Sequence, residues 1–127
     1  MILISIYKKF SVAISGICHA IKTESSMKVH LLFTLILIAL FFFLDFSVLE
    51  SSIVLLCIGT VISFELLNTA LENTVDLISN KHLDAIKHIK DMSAGAVLTS
   101  VFVSILVGCM IIVPKCLTLL KLWKDTV

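Results

Sequence analysis

Three runs of mostly apolar residues, each close to the roughly 20 that a helix needs to cross a bilayer core, constrain this chain more than any other feature. They cover residues 30–49, 53–71 and 94–113. The first is marked only by Asp45 near its end, and the second carries Glu65 and Asn68 deep inside. The third is uncharged and is followed by Pro114, which is expected to end it. Of the 127 residues, 59% are apolar and 15% charged, with a mean hydropathy of +1.13. Soluble chains carry about a quarter charged residues. A soluble chain this apolar would expose large sticky patches, so the surplus must face lipid.

The first 30 residues are different. Over residues 4–22, Ile6, Phe10, Ala13, Ile14 and Ile17 fall towards one side of a helix, with Lys8, Lys9, Ser15, His19 and Lys22 largely elsewhere. Such a helix lies in the headgroup layer, and no small-residue cleavage site follows it to suggest a removed signal. The expected architecture is an all-α integral membrane protein. It consists of one domain over 1–127, with an amphipathic surface helix at about 4–22 and three transmembrane helices.

Lysines orient the bundle. Lys8, Lys9, Lys22 and Lys28 precede the first span, and Lys81, Lys87 and Lys90 lie between the second and third. The connector between spans one and two has Asp45 and Glu50 and no base. Basic loops stay inside, so the N-terminus and the second connector are expected in the cytoplasm. Lys115, Lys121 and Lys124 run against that rule. The second connector, about 77–93, should extend span two, turn near Ser79 and Asn80, and return through a helical segment.

A net charge of +1 leaves no basic face for nucleic acid. The four cysteines, Cys18, Cys57, Cys109 and Cys116, form no C-x-x-C pair and read as small packing residues.

Charges inside a span are costly, yet Glu65, Asn68, Thr69, Glu72 and Asp76 follow one another along the second. At about 100° per residue all five fall within roughly 100° of arc. One polar stripe thus descends to the membrane edge. Asn68 and Thr69 alone would suit interhelical hydrogen bonding, but three carboxylates on one arc repel unless cations or protons intervene. The stripe reads as a functional site. Spacing alone leaves phosphoryl transfer, a proton relay in a small transporter, and a scaffold open. Lys90-Asp91, ahead of the small residues Ser93, Ala94, Gly95 and Ala96, lies just before the third span, and Glu24 just before the first. No G-x-x-x-x-G-K, G-x-G-x-x-G or protein-kinase signature occurs.

The stretch Glu65-Leu-Leu-Asn68-Thr69-Ala-Leu-Glu72-Asn-Thr-Val-Asp76, with Lys90-Asp91-Met-Ser93-Ala94-Gly95-Ala-Val97 after it, resembles the signature of the prokaryotic diacylglycerol kinase family. The pattern is E-x-x-N-[ST]-A-[IL]-E-x-x-V-D followed by A-K-D-x-x-[SA]-[AG]-A-V, with Ile89 here in place of the first alanine. The resemblance covers nearly the whole chain. It implies a homotrimer with active sites between subunits, acting at the cytoplasmic face of the bacterial cell membrane. It also implies Mg²⁺-dependent transfer of phosphate from ATP to a lipid hydroxyl.

By position, the resemblance makes Glu65 the catalytic base, and Glu24 and Glu72 the pair holding Mg²⁺. Glu24, Asn68, Glu72, Lys81, His82, Leu83, Lys90 and Asp91 become nucleotide-binding residues. Ser15, Gly16, His30, Glu65 and Ala94 contact the lipid, with Asp76 and Gly95 in support, and Lys8 or Lys9 falls near the phosphates. Glu24-Ser-Ser26-Met27-Lys-Val-His30 resembles E-x-N-[FM]-x-[IFV]-H of the branch acting on undecaprenol, with Ser26 for asparagine. Thr74-Val-Asp76-Leu, Lys81-His82 and Val107-Gly108 … Val113-Pro114-Lys115 also resemble that branch. The alternative substrate is diacylglycerol. His30, read alone, equally suits an interfacial residue capping the span.

Overall fold

The computed structural model describes residues 2–78 and 84–126, and nearly all of them are helical. Helix α1 covers Ile2–Thr23, α2 Ser25–Phe43, α3 Val48–Ile78 and α4 Asp84–Thr126. Three of them, α2, α3 and α4, are long and apolar enough to cross a membrane. At 1.5 Å per residue α2 is about 28 Å long, matching a hydrocarbon core of about 30 Å. By the same measure α3 is about 46 Å and α4 about 64 Å, so both project beyond it.

The breaks between helices have local causes. α1 ends at Thr23 with Lys22 in its last turn, where a cation suits the helix dipole. Glu24 is extended (φ −99°, ψ 125°) and resets the direction for α2. At the far end of α2, Leu44 is extended as well (φ −115°, ψ 138°). The first span is therefore shifted from residues 30–49, beginning five residues earlier and stopping at Phe43. The reason is a capping box that the apolar run concealed. Ser47 Oγ accepts the Glu50 N–H at 3.2 Å, and the Ser47 N–H donates to Glu50 Oε2 at 2.7 Å. This reciprocal pairing starts a new helix.

Pro114 does not end the third span, contrary to expectation: α4 runs through it to Thr126. A proline inside a helix forfeits only the rung to the carbonyl four residues earlier, and membrane helices tolerate this when neighbouring groups adjust. The return segment of the second connector is the start of the same helix, since α4 begins at Asp84. The turn near Ser79 and Asn80, and the proposed nucleotide contacts Lys81, His82 and Leu83, lie outside the described residues.

α3 is the centre of the molecule. It packs most extensively on α4 and less on α2, while α2 and α4 make no close approach to each other. Among the described residues α1 touches only α2 and α3, and lightly; its Ala20 is buried. Ile6, Phe10, Ile14 and Ile17 of α1 stay exposed, as an interfacial helix requires. The buried residues of α3 include Val54, Val61, Glu65 and Thr69, spaced by seven and four, so the packing seam turns from apolar to polar at Glu65. Met27 of α2 and Val97 of α4 complete the seam from either side. The cysteines do not serve as core: Cys18 and Cys109 are exposed, and Cys57 and Cys116 only half-buried. Positions on outward helix faces in lipid need no burial to be apolar.

Between α2 and α4, over α3, runs a groove of about 480 Å³. Phe33 and Leu37 of α2, Val61 of α3, and Ile105 and Ile112 of α4 line it, and His30 stands at its mouth.

Lys115 belongs to a corner at the opposite end. Its Nζ lies 3.0 Å from Glu50 Oε2, donates to the Asp45 carbonyl at 2.5 Å, and sits 5.3 Å from the centre of the Phe46 ring. A cation that defies the orientation rule is thus paired, and it ties α4 to the α2–α3 connector. Glu50 lies in the first turn of α3, ahead of the apolar run 53–71. The Ser47 N–H, then the Ser47 side chain and Lys115, hold its carboxyl down from 4.5 to about 2. A depressed pKa stabilises the fold above the ordinary value, and the contribution fades as pH falls from about 4.5 to about 2. Glu50→Gln is therefore expected to melt earlier than wild type at pH 7, with the difference vanishing near pH 2. Thermal unfolding in micelles across that range checks this, and a pH-independent difference would contradict it.

Candidate active site

Helical spacing sets Glu65, Asn68, Glu72 and Asp76 on the face of α3 that meets its neighbours. Each level of the stripe finds different partners. At the deepest level Glu65 is only 3% exposed. Ser26 Oγ of α2 donates a hydrogen bond to Glu65 Oε1. His30 Nε2, one turn further along α2, stands 3.8 Å from Glu65 Oε2. That gap is too long for a direct hydrogen bond, but a hydroxyl entering from the groove can bridge it.

One turn towards α1, Ser93 of α4 donates to Asn68 Oδ1 at 2.6 Å and lies 3.0 Å from the Lys90 carbonyl. The other end of the Asn68 amide donates to Glu72 Oε1 at 3.3 Å. Ser93 therefore fixes which way the amide points, and the amide in turn orients Glu72. At the outermost level Lys90 Nζ of α4 pairs with Asp76 Oδ1 at 2.6 Å. Both partners are substantially solvated, so the pair is weak in free energy and easily exchanged for another partner.

The three carboxylates of one arc thus coexist because each meets a different group: a hydroxyl and an imidazole, an amide, and an ammonium. Among the described residues Glu72 has no cation beside it, and its Oε2 has no hydrogen-bond partner. Glu24, half-buried at the α1–α2 break, makes no side-chain capping bond to α2. Among the described residues no three His, Cys, Asp or Glu side chains cluster to form a protein metal cage. Mg²⁺ does not need one, since it takes one or two carboxylates plus phosphate oxygens and water. By donor type the carboxylates of Glu24 and Glu72 fit that set.

The structure thus joins Glu65 to His30, Asn68 to Glu72, and Asp76 to Lys90. Ser15 and Asp91 make no side-chain hydrogen bond or ion pair among the described residues, and Ser15, Gly16 and Ala94 are exposed. A Cβ added at Gly16 or Gly95 would meet nothing within 4 Å, so neither glycine is required by packing within one chain. Two serines gained no role from the sequence. Ser93 was visible three residues after Lys90, on the same helix face. Ser26 stood out only as a departure from asparagine.

Comparison with known proteins places the chain among lipid kinases by sequence. The prokaryotic diacylglycerol kinase pattern matches residues 11–112. The undecaprenol kinase of Bacillus subtilis is 38% identical over 109 residues, covering 86% of this chain and 89% of the relative. A diacylglycerol kinase of Synechocystis is 30% identical over 112 residues, covering 87% of this chain and 64% of the relative. With the match running from the second half of α1 through α2 and α3 into α4, and including both halves of the polar stripe, the chain belongs to the prokaryotic diacylglycerol kinase family.

Proposed function

We propose that this protein transfers the γ-phosphoryl group of ATP to the hydroxyl of undecaprenol, at the cytoplasmic face of a bacterial cell membrane. The observation that carries the reading is Glu65, a buried carboxylate that stands beside His30, a residue lining the apolar groove. The groove suits a long hydrocarbon tail, with the alcohol end at His30 and Glu65. Exposed Ser15, Gly16 and Ala94 are the further lipid-contact positions, and Gly95 supports them.

The chemistry follows from the residue types. The lipid hydroxyl gives its proton to Glu65 Oε2 as its oxygen bonds to the γ-phosphorus. The bond from that phosphorus to the bridging oxygen breaks, and ADP leaves with the electron pair. Such a transfer depends on positioning and charge stabilisation. Glu24 and Glu72 would hold Mg²⁺, which when bound offsets charge on the phosphate oxygens. Asn68 orients Glu72. Lys90 exchanges Asp76 for the phosphates as a point charge, and Asp91 and the segment Lys81-His82-Leu83 complete the nucleotide site.

The lysines of the N-terminal segment and second connector support the cytoplasmic orientation. Membership of the family supports assembly as a homotrimer with sites between subunits.

Diacylglycerol is the second reading, favoured by the name of the Synechocystis relative. Purified protein in micelles, given labelled ATP, Mg²⁺ and both lipids together, decides between them. Preferential labelling of undecaprenol is expected. Preference for diacylglycerol would keep the mechanism and overturn the substrate, and labelling of neither by folded protein would return the buried carboxylates to a transporter's proton relay.

Ser93→Ala removes the hydroxyl that orients Asn68 and so loosens Glu72. Losing one hydrogen bond of net worth about 0.5–1.5 kcal/mol should raise KM for Mg-ATP about two- to twelvefold, leaving KM for the lipid unchanged. Steady-state kinetics with either substrate varied checks this.

A further inference from the structure

We infer that Ser26 is a positioning residue for the catalytic base, committing Glu65 Oε1 so that Oε2 alone receives the proton of the lipid hydroxyl. This rests on the reading of Glu65 as the base. A carboxylate has two equivalent oxygens and a broad terminal torsion, so a buried glutamate with a single partner can still present either oxygen to the site. The Ser26 hydroxyl donates to Oε1, from the first turn of α2. His30 lies four residues on, on the same face of α2, and flanks Oε2 without bonding to it. Among the described residues no other side chain donates a hydrogen bond to Glu65.

The consequence is a division of labour between the two carboxylate oxygens. Oε1 is held, and Oε2 is left beside His30, which lines the groove. An asparagine, the residue that the pattern of the undecaprenol branch carries at this position, has an amide N–H able to donate in the same direction. Ser26 is then a shorter donor doing the same work, a role that its status as a departure from the pattern would not suggest.

The test is kinetic, on full-length protein in micelles with undecaprenol and Mg-ATP. A hydrogen bond to a charged group is worth more than a neutral one. Ser26→Ala is therefore expected to lower kcat about ten- to a hundredfold. KM for Mg-ATP, which reports on neighbouring Glu24, should be unchanged. Ser26→Thr and Ser26→Asn keep a donor and should recover most of the lost kcat. Thermal unfolding of each variant in the same micelles verifies that it is folded.

Full kcat in Ser26→Ala would overturn the inference. So would a folded Ser26→Ala defect that neither threonine nor asparagine relieves, or one that appears in KM for Mg-ATP instead of kcat. If Ser26→Ala does not fold, Ser26→Thr and Ser26→Asn still decide, because wild-type kcat in both supports the inference and a collapse in both sinks it. Failure of wild-type protein to phosphorylate any lipid would instead overturn the kinase reading, so the two failures are distinguishable.

Discussion

Glu65→Gln is expected to lower kcat for lipid phosphorylation by about 10²–10⁴-fold, the range over which a positioned general base contributes. KM for Mg-ATP should stay at the wild-type value, because the replaced group lies about 10 Å along α3 from Glu72 at 1.5 Å per residue. The substitution is close to isosteric. A glutamine at 65 keeps an oxygen to accept from Ser26 Oγ, and its amide fills the place of Oε2 opposite His30. Folding should therefore survive, and the variant should melt in micelles near the wild-type temperature. Retention of full kcat would remove Glu65 from the mechanism and leave its burial unexplained.

Glu72→Gln is expected to act on the other substrate. Glu72 is half-buried, accepts one hydrogen bond from Asn68 and has no cation among its described partners. Its second oxygen has no hydrogen-bond partner among the described residues. Neutralising it removes half of the carboxylate pair proposed for Mg²⁺, a loss on the scale of several kcal/mol of charge stabilisation. Activity at fixed Mg²⁺ should fall by about a hundredfold or more, with KM for Mg-ATP raised and part of the loss recovered at high Mg²⁺. A defect confined to kcat, with the Mg²⁺ dependence unmoved, would count against the metal role. The two glutamates thus separate cleanly: one variant changes turnover, the other changes the metal and nucleotide dependence.

The kinetic split also discriminates a kinase from a proton relay built on the same stripe. In a relay both carboxylates would carry the same proton, and neutralising either would produce the same defect. The distinct partners of Glu65 and Glu72 argue for distinct duties. Family membership and relatives named as kinases point the same way.

The all-α membrane architecture was legible because hydropathy and helical period are properties of the chain taken locally. Twenty apolar residues must form a helix in lipid, where no water can satisfy a bare backbone. A 100° step likewise gathers Glu65, Asn68, Glu72 and Asp76 on one arc whatever lies beside them. The double motif around Glu65 and Lys90 was equally local, so the family was readable before any contact was known. Helix ends were less so. The Ser47–Glu50 capping box straddled the end of an apolar run, and Pro114 reads as a stop unless α4 is seen to continue.

Partners were beyond reach, because they join residues far apart in sequence. Ser26 meets Glu65 across 39 positions and Ser93 meets Asn68 across 25. Lys115 reaches the Asp45 carbonyl across 70, turning an apparent violation of the charge rule into a tie between helices. Such pairings depend on which faces of α2 and α4 dock on α3. Composition said that carboxylates lie in the membrane. Only the packing of α2 and α4 on α3 decided that Glu65 would have one oxygen held and one free, since a hydrogen bond exists only where donor and acceptor arrive within about 3 Å of each other.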